Sequence, residues 1–138
     1  MLSTFTRAAL RSSFYGPRLV PRTMSTTTKQ YHRFFVYAPD KTDEGAHERR
    51  YAVRPRHFEA VQPLIDSGVI QVGGMVVSED QIESEGGQKK AVASLLIVKA
   101  KTIDDARKLI ESDVYYTSGV WDSEKLIILP FIPATPFP

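Results

Sequence analysis

The chain has 138 residues, room for one domain, and its 42% hydrophobic and 25% charged content is that of a globular protein. It has no cysteine, which excludes disulfides, thiolate nucleophiles and cysteine metal sites, and no apolar run nears the roughly 18 residues of a spanning helix, so no membrane insertion is expected. The net charge of +2 conceals a very uneven distribution.

Residues 1–28 carry Arg7, Arg11, Arg18 and Arg22 and no acid; the first acidic residue is Asp40. The segment is rich in Ser and Thr, and Leu2, Phe5, Ala9 and Leu10 gather on one side of a helical wheel. This composition reads as a disordered mitochondrial transit peptide, with the domain at 29–138 destined for the matrix. A basic tail for nucleic acid or acidic lipid is the alternative, but it needs no Leu/Phe face. Met24 offers a second start and a cytosolic form. Removing the four arginines from the 18 basic residues leaves 14 against 16 acids, so the domain is slightly acidic and not suited to nucleic acid.

Tyr31 to Ala38 is aromatic and β-branched and reads as a strand ending at Pro39, with a polar loop from Asp40 to Ala46. The stretch from Arg49 to Phe58 concentrates four arginines and His57. Pro55 is placed in the first turn of a helix, where a missing N–H is no loss. From there Phe58, Val61, Leu64 and Ile65 form an apolar stripe, Pro63 should kink the helix, and Ser67-Gly68 ends it. Val69 to Val77 is a second strand whose Gly73-Gly74 pair signals a bulge or a close approach. Ser78 to Lys90 is a solvated hairpin connection, and Ala91 to Val98 a third strand.

Thr102, with Asp105 three residues on, opens a second helix with Ile103, Ala106, Leu109 and Ile110 as its apolar stripe. Ser112 to Gly119 reads as a polar-aromatic turn. A last strand starts near Val120 and runs from Lys125 to Phe131, and a tail with three prolines, expected to be extended, follows. The order β-α-β-β-α-β is the ferredoxin-like split unit, an α+β fold with a four-stranded antiparallel sheet and two helices on one face. The strands Ala91–Val98 and Lys125–Phe131 are apolar at odd and even positions alike, so both sheet faces call for burial. Two helices cover one face only; a second copy is expected on the other, in a sheet-on-sheet homodimer.

The segment Arg50 to His57 (RYAVRPRH), Val72-Gly73-Gly74, and Asp113-Val114-Tyr115 followed by Gly119-Val120 and Pro130-Phe131 resemble the YCII-related domain family, over about residues 31–133. Val114 stands where many members have proline. The resemblance implies the dimeric α/β-barrel form of the ferredoxin-like fold and a His–Asp active centre, with His57 and Asp113 at the matching positions. One branch of the family removes chloride from a chlorinated hydroxyhydroquinone, and other dimeric α/β-barrel families include isomerases and monooxygenases.

His57 as general base, with Asp113 fixing its tautomer, is sound chemistry. From the residues alone a helix-start histidine and a turn-capping aspartate remain the plainer reading, and the resemblance raises the pair to a candidate dyad. Arg50 and Arg54 suit a carboxylate or phenolate, or else pair with Glu48 or Glu59, while Arg49 and Arg56 read as surface charges. Tyr115 and Ser118 are candidates for hydrogen bonds to a substrate oxygen, and Tyr116 and Trp121 for packing. His32, His47 and His57 lack metal-ligand spacing, so no metal site is expected. Neither Gly-Gly pair continues as a phosphate loop, and Ser118 and Ser123 lack the framing of a nucleophile elbow. Two classes remain: a cofactor-free, lyase- or isomerase-like enzyme shifting protons on a small anionic or phenolic molecule, or a non-catalytic ligand-binding or structural dimer.

Overall fold

A computed structural model describes residues 30–83 and 86–137. The transit-peptide segment at 1–28 lies outside the described residues. The elements run β1 (His32–Pro39), α1 (Ala46–Asp66), β2 (Ile70–Val77), β3 (Ala91–Ala100), α2 (Ile103–Glu111), α3 (Val114–Thr117) and β4 (Ile127–Phe131). The sheet order is β2-β3-β1-β4, antiparallel throughout, as the ferredoxin-like reading requires.

Alternation sorts each strand into two faces. Phe34, Val36 and Ala38 of β1, Leu96, Val98 and Ala100 of β3 and Ile128 of β4 meet Val61, Ala106, Ile110, Val114 and Tyr115 from the three helices in one core. Thr102 caps α2 by accepting the Asp105 N–H at 3.1 Å, as its spacing foretold. The opposite face is apolar too. Phe35 pairs with Leu129 and Ile97 across the sheet, and Tyr37 with Ile127 and Leu95, while Ile127 and Leu129 stand exposed. The tail does not simply run on as an extension. It brings Phe137 to 6.2 Å from the Phe131 ring and under the Arg33 guanidinium at 4.9 Å, covering one corner of that face.

Four boundaries differ from expectation. Helix α1 begins at Ala46, so Pro55 and Pro63 both lie inside it and His57 is in its fourth turn, not its first. Both prolines are exposed, so the carbonyls they leave unpaired fall on the wet side, where water replaces the lost hydrogen bonds. The ladder irregularities of β2 sit at Ile70/Val72 and Val76/Val77, not at the glycine pair. The segment read as a turn after Ser112 contains the short helix α3, capped by Asp113. Finally, β4 starts only at Ile127; Val120 and Trp121 are buried in the core, with Trp121 bridging to Asp40.

Candidate active site

Arg50, Arg54, His57, Phe58, Val61 and Ile65 recur at three- and four-residue steps and so share one face of α1. That face roofs a cavity. Gly73, Gly74 and Met75 of β2 with Ser94 and Leu96 of β3 form its floor, and Tyr115 and Trp121 close its far side. A Cβ on Gly74 would meet nothing within 4 Å, and one on Gly73 only Ile70 Cγ2 at 3.6 Å. The glycine pair is therefore not forced by backbone packing; it leaves the floor bare and the cavity open. The cavity measures about 180 Å³. An apolar void of about 150 Å³ admits a benzene ring, so a single substituted ring fits.

At the inner end His57 Nδ1 lies 2.8 Å from Asp113 Oδ1, joining α1 to the N-cap of α3 across 56 positions. The same Oδ1 accepts the Tyr115 N–H at 2.8 Å. Asp113 is thus both the turn cap and the histidine's partner, the two readings the sequence left open. With an ionised Asp113 as acceptor, Nδ1 carries the proton and Nε2 keeps its lone pair. Nε2 has no partner among the described residues, and the ring stands in the cavity wall. The imidazole stacks on Tyr115 at 3.9 Å between centroids and 12° between planes, and Trp121 meets its edge at 6.2 Å. These contacts hold the ring in one orientation.

The Tyr115 hydroxyl has no partner among the described residues, although the ring is buried. Burial pushes the phenol's pKa up, against the opposing pull of the Arg50 and Arg54 charges, so it stays protonated and able to donate at neutral pH. Arg50 is buried, ion-paired to Asp40 at 2.6 Å, and donates to Ser94 Oγ at 3.0 Å. Trp121 Nε1 donates to the same Oγ at 3.1 Å, and the Arg50 guanidinium lies 4.6 Å from the Tyr115 ring centre. Burial pushes the Asp40 carboxyl up, and Arg50 beside it pulls part of the way back.

Of the residues singled out from the sequence, Arg50, Arg54, His57 and Tyr115 line the cavity, and Asp113 stands behind His57. Ser118 does not border it. It caps the end of α3 beside Lys41, Asp43, Arg49 and Gly119 in a separate surface depression, because α3 turns the chain away from the cavity after Tyr115. Arg49 is bound to Asp43 through two N–H···O bonds and to the Gly119 carbonyl, not to Glu48 or Glu59.

Residues 32–132 match the YCII-related domain. The chain belongs to the YCII-related domain family. It is 31% identical over 108 residues to fusaric acid biosynthesis protein 2 of Gibberella fujikuroi, covering 78% of this chain and 97% of that protein. It is 32% identical over 108 residues to aspartate kinase FUB3 of Fusarium oxysporum f. sp. lycopersici, of which it spans only 19%. Protein YciI of Escherichia coli O6:H1 is 29% identical over 98 residues, which are 71% of this chain and 94% of that one. Among solved structures, the fold resembles the 5-chloro-2-hydroxyhydroquinone dehydrochlorinase of Burkholderia phenoliruptrix in complex with 2,5-dihydroxybenzoquinone. The TM-score is 0.58 at 22% identity, over 72% of this chain and 93% of that one, which is a likeness of fold.

Sequence reasoning about this YCII-related domain missed Asp40 and Ser94, and it treated Trp121 as packing alone. The three come from the end of β1, the middle of β3 and the segment after α3. No local spacing joins them. The one available signal was Arg50 itself, an arginine on the inner face of a helix that must find a buried partner.

Proposed function

We propose that this YCII-related domain is a cofactor-free enzyme that moves a proton on a small single-ring phenolic or anionic molecule, in a lyase- or isomerase-like reaction. The observation that carries the reading is the His57–Asp113 contact, with Nε2 unpartnered among the described residues in the wall of a ring-sized cavity. Nε2 takes a proton from the substrate, Asp113 stabilises the imidazolium so formed, and the imidazolium returns the proton at another atom of the same molecule. The Tyr115 hydroxyl donates to the substrate oxygen on which charge develops. A screen of single-ring phenols and acids for thermal stabilisation of the full chain, followed by assay for turnover, tests this. A hit that turns over should lose turnover in His57→Ala; activity untouched by that change counts against the reading.

We further propose a homodimer built on the helix-free sheet face. Phe35, Tyr37, Leu95, Ile127 and Leu129 make that face apolar, and a second copy would supply the missing layer. Light scattering at low micromolar concentration should give twice the chain mass, and an interface of about 1,200 Å² or more is expected. A stable monomer refutes the dimer. Residues 1–28 are held as a presequence for the mitochondrial matrix, on composition alone. N-terminal sequencing of the mitochondrial form should find a start near residue 29; recovery of Met1 from the organelle would overturn it.

A further inference from the structure

The cavity wall contains two arginines, and their surroundings set them apart. Arg50 is matched, with Asp40 taking its charge and Ser94 one of its N–H groups. Arg54, four residues further on the same helix face, is paired with no carboxylate among the described residues. Its guanidinium lies 5.4 Å from the Tyr51 ring centre and 5.0 Å from that of Phe58. The two rings restrain the side chain, and its N–H donors have no hydrogen-bond partner among the described residues. A guanidinium so held accepts a planar oxyanion through two parallel N–H···O bonds.

The charges of the site lead to the same place. Asp40 cancels Arg50, and Asp113 stands behind His57, outside the lining. The lining is left with one unmatched positive charge, at Arg54. His57 is three positions from Arg54, roughly 5–6 Å between Cβ atoms on a helix, a span that one aromatic ring bridges. The Arg54 charge is also felt at the Tyr115 hydroxyl, where it opposes the rise that burial causes. The groups address one shared space.

We propose that the cavity takes single-ring aromatic carboxylates, the carboxylate held by Arg54 and the far side of the ring turned to His57 and Tyr115. This rests on the reading of the cavity as a ring-binding site and adds to it a required charge, assigned to one residue. The test is calorimetric titration of the full chain with 4-hydroxybenzoate and with its neutral methyl ester. The acid should bind about tenfold or more tightly than the ester, as expected for a charge-assisted pair. Arg54→Gln should close the gap by weakening the acid alone, and Arg54→Lys should restore part of it. Equal affinity of acid and ester for the unaltered protein overturns the carboxylate subsite while leaving a phenol site standing. So does a gap that survives Arg54→Gln, or a loss shared equally by acid and ester. Binding of neither compound overturns the ring-binding reading and this proposal together.

Discussion

Replacing Asp113 with Asn is expected to lower turnover by about 10²–10⁴-fold while the fold stays intact, the range for loss of positioned general acid–base catalysis. The carboxylate accepts from His57 Nδ1 at 2.8 Å and lies close enough to stabilise the imidazolium. A neutral amide offers no such charge and can equally present its N–H to the ring, which places the proton on Nε2 and removes the base. Asparagine remains a good N-cap, so α3 keeps its start. Asp113→Ala, by contrast, loses the cap as well, at about 1 kcal/mol of stability. Melting temperature and kcat measured together separate the two effects. Nitrogen NMR of the imidazole gives the tautomer directly: Nδ1 protonated in the native protein, mixed in the Asn variant. An Asn variant with native kcat and tautomer would remove Asp113 from the mechanism.

Asp40→Leu should be among the most destabilising substitutions in the domain. Its carboxylate and the Arg50 guanidinium are 8% and 6% exposed at the side chain, 2.6 Å apart. Removing one partner leaves a buried charge unpaired, which costs about 3–5 kcal/mol and lowers the melting temperature by more than roughly 10 °C in a domain of this size. Combining it with Arg50→Met removes both charges and should recover most of the loss. The Asp43–Arg49 pair, exposed at 51% and 30%, is the control whose loss changes stability little. The pH dependence follows from the direction of the shift. Burial raises Asp40, so the folded state binds its proton more tightly than the unfolded chain does. The stability contributed at this residue is therefore full below the ordinary carboxylate pKa of 3.8 and declines as pH rises through the raised value. Asp40→Asn should abolish that decline. A double variant no more stable than Asp40→Leu alone would contradict the pairing argument.

The strand order was legible from the β-α-β-β-α-β succession of elements, and the helix-free apolar face from strands that are apolar at odd and even positions alike. The Ala91–Val98 segment is apolar at every position but Ser94, and that exception turned out to be the polar hub of the site. The start of α1 was misread because Pro55 was taken as a beginning, when both prolines are tolerated on the exposed side of a longer helix. That error carried with it the reading of His57 as a helix-start residue, since the ring lies well inside the helix. The His57–Asp113 contact was reached through family likeness, as no local pattern links residues 56 apart. Ser118 failed because α3 was taken for an irregular turn, and one helical turn is enough to swing a side chain from the cavity to the outer surface.

A single oxygen, Asp113 Oδ1, receives both the Tyr115 amide and the His57 ring. Tyr115 in turn stacks on that ring, so the peptide group starting α3 and the imidazole in the cavity wall share one anchor. Loss of the α3 start therefore also releases the His57 ring from its fixed orientation. The exchange rate of one backbone proton, the Tyr115 amide, becomes a direct readout of the fraction of molecules in which the Asp113 anchor is intact.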